Sequence, residues 1–435
     1  MPLFPSERID MNENSHRWYD LDNAAIIIPG SVRGCDTRVF RLVCQLKEEV
    51  NPEILQRALD DTVPEFPYFS VALRKGLFWY YLDSINAHAE VEEDHLTPLA
   101  QLYRPGERTL LYRVTYYRNR INLEMFHVLA DGTGAFIFFR RLIVRYLCLV
   151  HGMEIGTMET EVSSHEEKSE DAFAQYYHRE SKRSDWKKTT KTKAYHIQGD
   201  PDPNQRSHLM EITVSAKAFV DLAHAYNTKV GVLITAMVIE SIVKGMSVHE
   251  RQKKPVVISV PVNLRQYFPT ESVRNFYGLI YVRYDALKYD GHIEPIIEEV
   301  KQQFAAQLKK EDVSKTMNSF SALAGNYAVK LVPILFKEPT LGIASSRSHA
   351  GVTGSVSNLE RISMPEAVAD DIDHFAAFMS SINFQLTIAS YRDAMVFGFV
   401  CGMSDTRMML EFCRSLRKHG LSVKLATNDF EKEGG

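Results

Sequence analysis

Apolar positions in this chain alternate between two rhythms, and the clearest change of rhythm falls near residue 130. Residues 109–117 read TLLYRVTYY, and after the polar turn Arg118-Asn119-Arg120 the chain resumes as INLEMFH. Two apolar runs around a short polar turn predict a β-hairpin whose second strand ends at His127. Beyond Thr133, Phe136, Ile137, Leu142, Ile143, Tyr146 and Leu147 fall near helical spacing, with Arg140, Arg141 and Arg145 between them. This predicts a helix starting at about Thr133. Upstream, residues 37–46 read as a strand. Asn51-Pro52 then opens a helix with Leu55, Ala58, Leu59 and Val63 on one face, since Pro after a capping Asn marks a helix start. Residues 69–73 and 77–82 read as another hairpin.

The rhythm stops in residues 154–204, which are polar and charged. It resumes with a strand at 208–215, a helix at 216–227 and a nearly all-apolar helix at 230–245 that reads as buried. Strands follow at 255–262 and 279–284, helical segments at 292–309 and within 314–336, strands at 353–362, 373–379, 383–390 and 394–401, and a last helix at 405–418. The pattern predicts an N-terminal domain over 1–155, a charged linker or surface excursion over 156–204, and a C-terminal domain over 205–435. Hairpins mixed with helices, without regular βαβ alternation, indicate an α/β chain of the α+β kind with mixed sheets.

Composition narrows the function classes. A length of 435 residues, 45% hydrophobic and 24% charged, is globular and favours two domains. A net charge of −4 argues against a nucleic-acid partner. The five cysteines show neither metal nor disulfide-framework spacing, and the charged N-terminus has no signal-peptide core. The most apolar helix, 134–150, is broken by three arginines and predicts no membrane span. The expectation is a cytoplasmic protein with reduced thiols.

Candidate chemistry sits at the strand-to-helix junction His127-Val-Leu-Ala-Asp131-Gly132. A histidine at a strand end is rigidly placed and titrates near working pH, as a general base requires. Asp131 stands where an N-cap belongs, and Gly132 and Gly134 ease the tight entry. Either residue alone is commonly a solvated histidine or a plain cap; the spacing, with Gly next, makes the pair informative. There is no Gly-x-Ser-x-Gly elbow, Walker A or His-Glu-x-x-His, and no metal is expected. Ile137 stands where a dinucleotide fingerprint needs its third glycine.

These residues resemble the chloramphenicol-acetyltransferase-like superfamily of CoA-dependent acyltransferases, whose motif is His-x-x-x-Asp-Gly, with bacterial alcohol acetyltransferase-like proteins nearest in character. Two further stretches share the resemblance: Pro261 to Arg265 with Arg274-Asn275-Phe276-Tyr277-Gly278, and Gly354-Ser355-Val356-Ser357-Asn358-Leu359. The resemblance implies two similar domains packed as a pseudo-dimer around an interdomain tunnel. It implies His127 as general base in transfer of an acyl group, acetyl foremost, from acyl-CoA (acetyl-CoA) as co-substrate to a small-molecule alcohol, with no permanently bound cofactor. Asp131 is implied to pair with an arginine, Arg265 first and Arg274 second, so that Asp131, Gly132 and Arg265 support the site. Ser355, Ser357 and Asn358 are implied as oxyanion or tunnel residues. Phe126 replaces the second histidine usual in peptide condensation domains, and the Asp-Phe-Gly-Trp-Gly segment of plant enzymes is missing. The alternatives are an idle member of the fold that binds acyl-CoA or a carrier protein, and an N-acyltransferase or condensation-type enzyme taking its donor from an acyl carrier protein.

Overall fold

The computed structural model describes residues 17–154, 165–176, 193–314, 332–334, 336–337, 346–347 and 349–428. Its first half holds strands β1 (Trp18–Asp20), β2 (Val39–Leu46), β3 (Val71–Lys75), β4 (Tyr80–Ser84), β5 (Val91–Glu93), β6 (Tyr112–Tyr117) and β7 (Arg120–Phe126), with helices α1 (Pro52–Thr62) and α2 (Gly132–His151). The second half holds β8 (His208–Ser215), β9 (Val256–Asn263), β10 (Tyr277–Tyr284), β11 (Gly354–Ile362), β12 (Ile372–Met379), β13 (Phe384–Tyr391), β14 (Ala394–Cys401) and β15 (Lys424–Thr427). Among its helices are Ala216–Ala225, Val230–Gly245, Glu294–Gln307 and Arg407–Lys418. The predicted hairpins form: β6 pairs antiparallel with β7, and β3 with β4. The helix expected within 314–336 lies mainly outside the described residues.

Among the described residues these strands form three sheets, and the two larger ones are mixed. One runs β12-β2-β7-β6-β5, the other β10-β9-β11-β13-β14-β8-β15, and β1-β4-β3 forms a small third. Within them β5 lies parallel to β6, and β11 parallel to both β9 and β13. The first sheet thus takes its edge strand β12 from beyond residue 370, pairing it antiparallel with β2. β12 joins the two halves, and β14 explains how. The near-continuous apolar run Ala394–Cys401 is what a strand covered on both faces needs. Val396 and Val400 belong to the core of the first sheet, Phe397 and Phe399 to that of the second. Gly398 permits the approach, because a Cβ there would lie 2.1 Å from the Ala377 carbonyl oxygen of β12.

Polar groups also cross this junction. Arg120 of β7 donates to both oxygens of Glu211 of β8, at 3.1 and 3.0 Å, and His374 of β12 meets Glu211 at 3.1 Å and Asp373 at 2.7 Å.

α1 is capped by Asn51, whose side chain accepts from the Ile54 amide. α2 ends at Gly152 in the left-handed region, φ 64°, where glycine carries no Cβ penalty. One position on α2 departs from the periodic reading. Ile137 is 37% exposed, while Phe138 and Phe139 turn into the core. In the charged excursion, Phe173 is buried edge-on against Phe276, 5.1 Å between ring centroids. The Lys168 and Glu170 carbonyls accept from the Val273 amide and the Ser272 hydroxyl.

Candidate active site

His127 is the first residue past β7, yet its backbone is held like a strand residue, with its N–H donating to the Arg38 carbonyl at 2.9 Å. Val128, Leu129 and Ala130 behind it are fully buried, so the turn is plugged into the core and the imidazole has a fixed origin. Phe40 packs edge-on to the ring at 5.4 Å and Tyr277 lies tilted at 5.7 Å. The chain then reaches Asp131 in extended conformation and enters α2.

The Asp131 carboxylate is fully committed. Oδ1 accepts from the Gly134 amide at 2.8 Å, which is the predicted N-cap. Oδ2 accepts from Arg265 Nη1 and from the Phe276 amide, both at 2.7 Å. Arg265 donates further, to the Ser272 carbonyl from Nε and Nη2 and to the Arg274 carbonyl from Nη2. Asp131 and Arg265 therefore tie the start of α2 to the loop 272–276 of the second half. Arg274 goes elsewhere: its Nη2 donates to the Asp20 carbonyl, and its guanidinium covers the Tyr68 ring.

The glycines have a different reason than the one read from sequence. Neither Gly132 nor Gly134 has a positive φ. A Cβ on Gly134 would lie 1.9 Å from the Val273 carbonyl oxygen, and one on Gly132 would lie 2.7 Å from Leu359 Cδ2. What they permit is close approach of the second half of the chain.

Sequence reading left Asn275 without a role, although it lies inside the quoted Arg274-to-Gly278 stretch. Its Oδ1 is 2.9 Å from His127 Nδ1, and its Nδ2 donates to Asp22 Oδ2 at 3.0 Å and to the Val128 carbonyl at 3.4 Å. Two acceptors at one end of the amide place the NH₂ there, so the oxygen faces the imidazole. Nδ1 must then carry the hydrogen, and Nε2 keeps the lone pair. Burial, the largest influence, lowers the His127 pKa from its ordinary value and Arg38 adds to that, while the residue's own backbone carbonyl, Asp131 and Asn275 oppose the shift. A neutral imidazole with a free Nε2 is the state a general base needs.

The imidazole borders a cavity of about 330 Å³ between the two large sheets. Phe40 and Leu42 of β2 and Met379 of β12 line one side; Pro261 of β9 and Leu279 of β10 line the other. Ser355, Ser357 and Asn358 of β11 border the same space. Asn358 Oδ1 accepts from the Glu360 amide at 2.8 Å, where β11 slips register against β13. Its amide NH₂ remains as the donor group of that side chain. Arg38 adds a guanidinium to the wall, donating to His349 Nε2 at 2.5 Å. His349 is neutral, its pKa pushed down to about 4 by burial and by Arg38. Among the described residues no three His, Cys, Asp or Glu side chains gather as a metal site, and no helix is long and apolar enough to cross a membrane.

No family model and no curated protein matches this chain. Solved structures do. Trichothecene 15-O-acetyltransferase TRI3 from Fusarium sporotrichioides superposes with a TM-score of 0.62 at 11% identity, over 92% of this chain and 94% of that one. TRI101 from F. sporotrichioides, complexed with coenzyme A and T-2, gives 0.62 at 9% identity, over 94% and 99%. The first condensation domain of the CDA synthetase gives 0.58 at 13% identity, over 93% and 97%. The chain shares the two-lobed fold of these acetyltransferases and condensation domains.

Proposed function

We propose that this chain is an acyltransferase that moves an acyl group, acetyl foremost, from a CoA thioester to the hydroxyl of a small-molecule acceptor. The observation that carries this reading is the state of His127: neutral, held through Nδ1 by Asn275, and bordering a cavity walled by both halves of the chain. An acceptor hydroxyl within hydrogen-bond reach of Nε2 gives up its proton as its oxygen attacks the thioester carbonyl. The tetrahedral oxyanion then collapses, the carbon–sulfur bond breaks, and the thiolate takes the proton back from the imidazolium. Positioned donors stabilise such an oxyanion, and Ser355, Ser357 and Asn358 are assigned that role. Asp131, Gly132 and Arg265 hold the histidine loop against the second half. Segments 1–155 and 205–435 are read as the two lobes, with 156–204 as an excursion between them.

Two neighbours support this reading: TRI3 is a trichothecene 15-O-acetyltransferase, and TRI101 holds coenzyme A together with T-2. A cavity of about 330 Å³ is at the small end for ligand pockets, which run from about 300 to 1,000 Å³. It suits an acyl thioester terminus beside a small acceptor. The described cysteines, none disulfide-bonded, fit a cytoplasmic setting. Likeness to a condensation domain keeps a second reading in view, a donor borne by an acyl carrier protein, although Phe126 replaces the second histidine of such domains.

Thiol release from acetyl-CoA with a panel of alcohols and amines tests the proposal. Turnover with alcohols that His127→Ala abolishes is expected. A wild-type chain that binds acyl-CoA tightly without turnover, unaffected by His127→Ala, would overturn the enzymatic reading. Turnover confined to carrier-bound acyl groups would favour the second one.

A further inference from the structure

We infer that Asp22 is a positioning residue for this site: acting through Asn275, it dictates which nitrogen of His127 holds the hydrogen. The inference deepens the acyl-transfer reading, and only its effect on rate rests on that reading.

Asp22 lies in the loop after β1, far from His127 in sequence, and is fully buried. Its two oxygens have separate duties. Oδ1 accepts from the Ala24 and Ala25 amides at 3.1 and 2.8 Å, shaping its own turn. Oδ2 accepts from Asn275 twice, from the side-chain Nδ2 at 3.0 Å and from the backbone N–H at 3.3 Å. Asn275 is itself buried, so no water competes for its amide. The carboxylate thereby holds the NH₂ end, the amide oxygen faces Nδ1, and Nε2 is left as the base. The relay passes orientation, not a proton.

A carboxylate in such a place is costly. Its nearest cation, Arg274, stands 3.9 Å away, too far for a hydrogen bond. Asp171 adds a like charge, Asp20 faces the same arginine, and the Tyr68 and Tyr277 phenols face Asp22. Burial pushes its pKa up to about 6, with Arg274 and Asn275 pulling the other way. A turn needs only the acceptor at Oδ1; a charge whose second oxygen is spent on Asn275 points to the histidine.

Asp22→Asn separates the two duties. The asparagine oxygen can still accept from Ala24 and Ala25, but its NH₂ is then set against both donors of Asn275. Asn275 must rotate or withdraw, and the Nδ1–H form loses its partner.

The test is magnetic resonance of the imidazole nitrogens in full-length protein carrying isotope-labelled histidine, at mildly alkaline pH, with His127 assigned by comparison with His127→Ala. The wild type is expected to show the Nδ1–H tautomer, and Asp22→Asn a shift toward Nε2–H. With acetyl-CoA and an accepted alcohol, Asp22→Asn should lower kcat by roughly 10²–10⁴-fold, as expected for a base in the wrong tautomer, with KM for acetyl-CoA little changed. A wild-type Nε2–H tautomer, or an Asp22→Asn protein with an unchanged tautomer, overturns the inference. A wild-type Nε2–H spectrum overturns the inference even where Asp22→Asn fails to fold, and Asp22→Ser, which keeps one oxygen for the turn and removes the one on Asn275, then takes the variant's place. An Nδ1–H tautomer in a chain without turnover would remove the acyl-transfer reading and leave this one standing.

Discussion

Arg265 Nη1 lies 2.7 Å from Asp131 Oδ2, joining the loop that carries Asn275 to the cap of the helix behind His127. Both side chains are nearly buried, and the same oxygen also holds the Phe276 amide. The pair therefore fixes two things at once, the entry to α2 and the loop 272–276. Breaking a buried pair leaves an uncompensated charge and costs about 3–5 kcal/mol. Arg265→Ala is expected to lower stability by that order in denaturant unfolding. Arg265→Lys should recover part of it, since one ammonium cannot also serve the Ser272 and Arg274 carbonyls.

His127→Ala removes the proposed base while its backbone hydrogen bond to the Arg38 carbonyl survives. Loss of a general base costs about 10²–10⁴-fold in rate. We expect that loss in kcat for thiol release, with the unfolding midpoint close to wild type. Equal loss of stability and activity would mark the histidine as a packing residue.

The pH–rate profile should follow the lowered pKa of His127. The base works while neutral, so kcat/KM should hold through neutrality and fall only on the acid side of the ordinary histidine value of about 6.5. A limb centred above that value would contradict the assignment. Initial rates across a buffer series, with stability followed in parallel, measure it.

His374 gives a separate pH signature, in stability. Burial lowers its pKa, but the hydrogen bonds and charges of Glu211 and Asp373 outweigh burial and the net shift is upward. A raised folded pKa means the contribution is fully present below the unfolded value of about 6.5 and is lost as pH rises through the folded value. Glu211 shifts downward, held by His374 and Arg120 against burial, so its contribution is lost only in acid. His127 and His349, with lowered pKa values, make stability rise with pH over the same range. The signature is therefore read as a difference: His374→Gln should cost more in denaturant midpoint at mildly acidic than at mildly alkaline pH.

Gly134→Ala sets helix propensity against packing. In an exposed helix interior the change would stabilise by about 1 kcal/mol. Here the new Cβ would lie 1.9 Å from the Val273 carbonyl oxygen, a backbone atom that cannot step aside alone. Overpacking of this kind costs about 1–3 kcal/mol. Lower stability together with lost thiol release is expected, since the displaced loop carries Asn275; a stabilised, active variant would contradict the geometry.

The sequence by itself determined the local order of this protein. Its apolar rhythms marked the β6–β7 hairpin, the start of α2 and nearly every strand of the second half, because side-chain periodicity is a property of neighbouring residues. It also marked His127 and Asp131, since the cap and the strand end lie within one short stretch. The resemblance supplied Arg265 as the partner of Asp131, which the ion pair matches. Only the tertiary structure decided the rest. That β12 completes the first sheet, that Gly134 serves a contact with Val273 and not a turn, and that Asp22 and Asn275 stand behind the histidine are all relations between segments more than a hundred residues apart. No period in the chain records them, because burial and hydrogen bonding between distant segments exist only once the two halves have closed on each other.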